Sequence, residues 1–355
     1  MDIQKDFSIK KLNTFEIDVK AKYFVEIETE KELKKILQKF KNEKIFILGG
    51  GSNTLFVNDW DGLMLKINIK GKEILREDKD FVYIACRSGE IWDDFVRWTV
   101  DNNYSGIENM IMIPGTVGGG VAQNIAAYGQ NITDVLFGIE VWDIRNEKEK
   151  TLRPEECNFK YRSSNFKHEW KNEYVITKVI FKLKKETKDL ELSYYERAGR
   201  YGSLVEELKT FATEPYSLKD VMQAVINQRV KRLPSVDDFG TCGSFFQNPV
   251  VSLDKFKELE KIIPGLQSYP VEDLKYEKSK EEQELVKIPA GRLLDEIGWR
   301  GKWDGDVGVS EKHALCVVTN KNAKGQDVLE FAKKMKESVK EKYGVELIEE
   351  VNLVL

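Results

Sequence analysis

Two short stretches concentrate glycine directly behind apolar segments. Gly49-Gly50-Gly51-Ser52-Asn53 follows Ile45 to Leu48, and Ile113 to Gly120 reads IPGTVGGG. Glycines this close together let main-chain N–H groups approach and wrap an anion such as a pyrophosphate. Ser52 and Asn53 add side-chain donors to the first stretch, and Asn124 and Tyr128 follow the second. The same glycines also suit ordinary tight turns, and the residues by themselves leave the two readings evenly matched. Spacing disfavours two familiar nucleotide signatures. Neither stretch is GxGxxG opening a helix with an acidic residue about 20 positions on, and neither is followed by Gly-Lys and then Ser or Thr.

Other reactive side chains are sparse. Cys86, Cys157, Cys242 and Cys316 are scattered with no CxxC pair, which argues for reduced thiols and against a disulfide framework or a zinc site. His168 and His313 lie in no recognisable constellation, so no metal site is expected.

Local patterns supply the elements that must position the glycine stretches. Thr29 to Glu32 resembles a capping box, with Leu33, Ile36, Leu37 and Phe40 following at helical spacing. Strands are expected at Ile45 to Leu48, Leu63 to Ile69 and Phe81 to Ala85. The last leads into a helix that Ser88 could cap, with Ile91, Phe95 and Trp98 on one face. Val135, Phe137, Ile139 and Val141 alternate as in a half-buried strand, and Tyr174 to Leu183 reads as another. Ser217 opens a helix carrying Val221, Val225 and Ile226. Near the end an amphipathic helix through Val328, Phe331, Met335 and Val339 stops at Gly344, before a final strand from Val345 to Leu355. A regular βαβ alternation is missing, so the fold class is α+β or mixed α/β.

Composition bounds the rest. The 355 residues, 41% apolar and 33% charged, suffice for two or three packed domains. A net charge of −4 gives no broad basic surface for nucleic acid. With no run of about 18 apolar residues and no signal-like N-terminus, a membrane span and export are not expected, and a cytoplasmic location is.

Seven segments occur in a specific order: LNTFEID (Leu12 to Asp18), LGGGSNTLF (Leu48 to Phe56), IPGTVGGGVAQNIAAYG (Ile113 to Gly129), YRSSNFK (Tyr161 to Lys167), GSFFQNP (Gly243 to Pro249), PAGRLLDEIGWRG (Pro289 to Gly301) and LIEEV (Leu347 to Val351). Over essentially its whole length the chain resembles the UDP-N-acetylenolpyruvoylglucosamine reductases. The resemblance implies an α+β FAD-binding fold of the vanillyl-alcohol-oxidase type, with two α+β subdomains and a separate α/β substrate domain. The boundaries expected are 1–69, 70–212 and 213–355. It further implies non-covalent FAD, NADPH as co-substrate, and one shared cleft for NADPH and UDP-N-acetylglucosamine enolpyruvate. The product, UDP-N-acetylmuramate, serves peptidoglycan synthesis, and with it cell shape and division. A monomer is expected.

By the same resemblance, FAD contacts fall on Gly49, Gly50, Gly51, Ser52, Asn53, Leu55, Ile113, Pro114, Gly115, Val117, Gly118, Gln123, Asn124, Ala127 and Tyr128. The implied reaction is a conjugate reduction, which places enolate-like charge beside a carboxylate and needs one proton. Ser244 matches the family's proton donor, Arg162 the partner of the substrate carboxylate and Glu350 the catalytic glutamate; a guanidinium fork suits a carboxylate well. Tyr161, Tyr194, Arg232, Gly243, Asn248, Tyr269 and Glu296 match substrate-binding positions, with Tyr194 on a tyrosine-bearing insertion. Two positions depart from the family pattern: Glu349 stands where proline is usual, and Asn352 where many relatives carry arginine near the flavin. The competing reading is another FAD oxidoreductase of the same fold. Neither glycine stretch contains the histidine or cysteine that covalent flavin attachment would use.

Overall fold

The computed structural model describes residues 2–185, 190–192, 203–271 and 284–355. The described residues within 1–7, 21–50 and 60–229 form one unit, and those within 8–20, 51–59 and 230–355 form the other.

In the first unit the Thr29 capping box forms as its sequence dictates. Thr29 accepts from the Glu32 amide, and Glu32 accepts from the Thr29 amide. The helix Glu30–Lys39 then buries Leu33, Ile36 and Leu37 against strands Lys20–Ile27, Trp60–Ile67 and Ile45–Leu48, with Leu63 and Leu65 in the same core. Both flanking strands run parallel to Trp60–Ile67. This βαβ crossover delivers the chain from Leu48 into the first glycine stretch.

A six-stranded antiparallel sheet makes the second layer of this unit. Its order is Lys148–Leu152, Leu136–Asp143, Tyr174–Lys185, Phe81–Arg87 and Lys72–Glu77, with Tyr104–Ser105 pairing the end of Tyr174–Lys185. Helix Trp92–Asp101 lays Phe95, Val96 and Val100 on it, and the rings of Phe95 and Phe181 lie 4.9 Å apart. Helix Leu218–Arg232 adds Val221, Ala224 and Val225 to the same core.

Three local expectations need correction. Ser88 caps no helix: the helix starts at Trp92 with Ile91 at its N-cap. Ser88 is held further back, donating its N–H to Thr177 O (3.1 Å) and accepting from Gly118 N–H (2.9 Å). Ile91 itself is 42% exposed. The alternation from Val135 to Val141 also fails at Phe137, which is 49% exposed. A register shift between Leu136 and Gly138 turns this residue outward, as a bulge does.

In the second unit, strands Gly240–Ser244, Cys316–Thr319, Val307–Val309 and Trp303–Asp304 form an antiparallel sheet. Helix Gly325–Tyr343 buries Val328, Phe331, Met335 and Val339, and Gly344 ends it at φ 65°. Trp299 stacks edge-on to Phe331 at 5.4 Å and donates from Nε1 to Ser338 Oγ (2.8 Å). The third correction concerns the chain end. Only Asn352–Val354 forms a strand, and it runs parallel to Thr54–Phe56. Before it, single main-chain bonds replace a continuous ladder, although Val345, Leu347 and Val351 are buried as the alternation requires.

Candidate functional site

The first unit brings the two glycine stretches into direct contact. A Cβ on Gly50 would lie 2.5 Å from Gly115 Cα, and one on Gly49 would lie 2.9 Å from Thr116 Oγ1. Gly50 is needed because backbone meets backbone, whereas at Gly49 the obstacle is the Thr116 side chain. Lys66, on the central parallel strand, donates from Nζ to Gly49 O, and burial pushes its ammonium below the ordinary lysine range.

The second stretch opens the short helix Val117–Gln123, where Thr116 Oγ1 accepts from Gly119 N–H (3.3 Å). Two of its amides are already committed: Val117 donates to Glu90 O and Gly118 to Ser88 O, each at 2.9 Å. Gly118 is required by packing, since a Cβ there would meet Ser88 Cβ at 2.8 Å. Asn124 ends the helix in the left-handed region, and Tyr128 repeats that conformation four residues on.

Arg162 is tied to this same region. Its Nη2 donates to Ala126 O (3.0 Å), its guanidinium lies 5.6 Å from the Tyr161 ring, and its backbone sits at φ 53°. Asn124 Nδ2 donates to Lys160 O (2.7 Å) and Ser164 Oγ to Ala122 O (2.6 Å), so the YRSS segment is fastened along the glycine helix. Gly49, Gly50, Ile113, Pro114, Gly115, Val117, Gly118, Gln123, Asn124, Ala127, Tyr128, Tyr161 and Arg162 all fall in this unit. Ser88 Oγ and Asn124 Oδ1 are buried beside the second stretch and make no hydrogen bond. Buried polar atoms of this kind call for a polar ligand or water. Together with the glycine cradle they fit a bound dinucleotide such as FAD.

In the second unit the remaining part of the first stretch meets the chain end. Asn53 O accepts from Asn352 N–H (3.0 Å), and Asn53 Nδ2 donates to Glu350 O (3.2 Å). Leu55, fully buried, pairs with Leu353. Glu350 N–H donates to Phe245 O (2.8 Å), and Gln247 N–H to Ile348 O (2.9 Å). Phe245 directly follows Ser244, so the segments bearing Ser244 and Glu350 are adjacent. Glu349 is turned to another partner: Lys336 Nζ lies 2.8 Å from its Oε1.

The other substrate-binding candidates have structural engagements here. Asn248 Oδ1 accepts from Ala290 N–H (3.0 Å) at the start of helix Ala290–Ile297. Glu296 pairs with Arg292 (2.7 Å), and Tyr269 donates to Gln267 (2.9 Å). Arg232 is half-buried, and Gly243 sits at φ 70° with nothing within 4 Å of a Cβ built on it. Tyr194 lies outside the described residues. Near Arg232, burial drives the His313 imidazole below its ordinary range; Asp295 opposes that shift, while Arg300 and Arg232 reinforce it.

Residue-level reading missed several supports. Asn13 is buried and binds Ile9 O (2.9 Å), Ile17 O (3.0 Å) and Ile17 N–H (3.0 Å), closing the loop that LNTFEID forms. Its product is a fixed Thr14, whose carbonyl accepts from Thr241 N–H (2.8 Å) and whose hydroxyl lies 3.6 Å from Cys242 Sγ. An asparagine spaced four residues from both partners was the available signal.

Comparison with known proteins agrees with these two regions. A family model described as an FAD binding domain matches residues 21–152, and one described as the C-terminal domain of UDP-N-acetylenolpyruvoylglucosamine reductase matches 234–354. The chain is 43% identical over 355 residues to a UDP-N-acetylenolpyruvoylglucosamine reductase of Flavobacterium johnsoniae, covering 100% of both chains. It is 36% identical over 350 residues to one of Bdellovibrio bacteriovorus, covering 98% of each. Among solved structures, the reductase of the same name from Thermus caldophilus has a similar fold, with a TM-score of 0.66 at 23% identity over 100% of both chains. The α+β FAD-binding fold with a separate C-terminal domain stands as expected.

Proposed function

The chain belongs to the UDP-N-acetylenolpyruvoylglucosamine reductase family, and from that membership we propose that it reduces UDP-N-acetylglucosamine enolpyruvate to UDP-N-acetylmuramate with NADPH. The observation that carries this reading is the pairing of the Ser244 and Glu350 segments through Phe245 O and Glu350 N–H at 2.8 Å. The two residues are 106 positions apart in sequence (350 − 244), and a shared reaction centre is a reason to hold them together.

FAD, held non-covalently by the glycine stretches, supplies a two-electron hydride store when bound. The chain's own residues supply the rest. Arg162 pairs with the substrate carboxylate, and its fixed positive charge favours the electron density that collects there. Ser244 gives its hydroxyl proton to the carbon beside that carboxylate. Such a weak acid serves because the accepting carbon is strongly basic. Glu350 assists proton delivery at the same centre. Arg232 takes a substrate phosphate, and Tyr161, Tyr194, Gly243, Asn248, Tyr269 and Glu296 complete the sugar-nucleotide contacts. NADPH and the sugar nucleotide use one cleft in turn. We further propose three domains, at 1–69, 70–212 and 213–355, in a monomeric cytoplasmic enzyme of cell-wall precursor synthesis. No helix among the described residues is long and apolar enough to cross a membrane.

An anaerobic absorbance experiment tests the reading. The purified protein is expected to show flavin bands that bleach with NADPH and return when the enolpyruvyl sugar nucleotide is added. Bleaching without return would discard the substrate, and a protein that cannot be reconstituted with FAD would discard the reading altogether.

A further inference from the structure

The strand that ends in Ser244 is irregular just before it. Gly240 and Thr241 pair with Thr319 and Val318, but Ser244 pairs with Cys316. Cys242 and Gly243 therefore stand opposite Val317 alone. Gly243 takes φ 70°. This is a bulge of one extra residue, a device that re-aims the next side chain.

A bulge takes main-chain groups out of the ladder, and buried ones must find other partners. Here one hydroxyl serves both. Thr241, 5% exposed, donates from Oγ1 to Val317 O (3.0 Å) and accepts from Gly243 N–H (3.2 Å). A hydroxyl has one proton to give and lone pairs to receive, so it can close both gaps together. The Thr241 backbone is fixed in turn, its N–H donating to Thr14 O (2.8 Å). Cys242 adds a second anchor, with Sγ 3.5 Å from Thr54 O.

We propose that Thr241 is a positioning residue: its hydroxyl sets the bulge and thereby aims the Ser244 hydroxyl at the carbon to be protonated. The inference rests on the reading of Ser244 as proton donor. It assigns to Thr241 no contact with substrate or flavin.

The test reduces the FAD-loaded protein anaerobically with dithionite and mixes it with the enolpyruvyl sugar nucleotide. Flavin reoxidation is followed by stopped flow in Thr241→Val, Thr241→Ser, Ser244→Ala and the unaltered chain, beside thermal midpoints and the rate of flavin reduction by NADPH. Thr241→Val is expected to slow reoxidation by about ten- to a hundredfold, the scale of a misplaced reacting group, with flavin reduction unchanged and substrate KM little changed. Thr241→Ser, which keeps the hydroxyl, is expected to restore the rate. Should Thr241→Val not fold, Thr241→Ala, whose smaller side chain leaves room for a water, takes its place with the same expectation. Normal reoxidation in the Thr241 variants with slow reoxidation in Ser244→Ala would overturn the positioning role and leave the proton donor standing. Equal slowing of both half-reactions, or slow reoxidation in Thr241→Ser as well, would mean a merely structural threonine and would also overturn it. Normal reoxidation in Ser244→Ala would remove the donor assignment on which the inference rests.

Discussion

Glycine does different work in the two units. At Gly50 the requirement is contact, because any Cβ would enter the Gly115 backbone at 2.5 Å. At Gly243 it is conformation, because the residue adopts φ 70° in open space. A contact glycine joins two distant stretches, so its loss should disturb a binding surface and the fold together. A conformational glycine shapes one strand locally, so its loss should cost a backbone term and leave neighbours in place.

The largest expected effect separates chemistry from fold in the second unit. Ser244→Ala should lower turnover by about 10²–10⁴-fold, the usual contribution of a placed proton donor, while FAD retention and the urea midpoint stay unchanged. A parallel fall in flavin content would place Ser244 in the fold instead. In the first unit the two properties should fail together. Gly50→Ala should cost about 3 kcal/mol, the upper range for overpacking a site that can relax only through backbone, and release FAD, read by urea unfolding and by absorbance after gel filtration. Stable yellow protein would mean that the stretches move apart at little cost.

Gly243→Ala sharpens the contrast from the other side. It should cost about 1–2 kcal/mol, the penalty of a left-handed L-residue, with FAD retained. A larger loss would indicate contact rather than conformation. The next effect is set by pH. Burial holds His313 below its ordinary value of 6.5 despite Asp295, so the unfolded chain binds its proton more readily than the folded one. This contribution is present above about pH 6.5 and is lost as pH falls through that value toward the folded pKa. His313→Asn should flatten the fall in urea midpoint between pH 7.5 and 5.5; an unaltered slope would assign the acid sensitivity elsewhere. Smallest of all, Lys336→Met should cost about 1 kcal/mol or less, because its pair with Glu349 is partly exposed. Slower flavin reoxidation in that variant would mean that an unpaired Glu349 disturbs Glu350.

Much of the framework was legible because its signals are local. Thr29 and Glu32 cap a helix through bonds spanning three residues, and Gly344 ends another through its own backbone freedom. Errors arose where tertiary partners override such signals. Ser88 has the right residue type for a cap, yet its backbone is held by Thr177 and Gly118. Phe137 has the right spacing for an inward face, yet a bulge turns it out. At the chain end, Thr54–Phe56 provides a ladder for just three residues.

The candidate site shows the same division. Motif order by itself determined the family, and with it singled out Ser244, Arg162, Glu350 and the two glycine stretches as candidates, because those residue types are written in the chain. Tertiary structure alone decided which of them touch and what holds them. Gly50 lies against Gly115, Asn53 holds Glu350, Lys336 takes up Glu349, and Thr241 closes the bulge before Ser244. Apart from the Lys336–Glu349 pair and the Gly243–Thr241 bond, these contacts join residues far apart in sequence. Their hydrogen bonds and clashes depend on angstrom-scale placement, which no local spacing encodes.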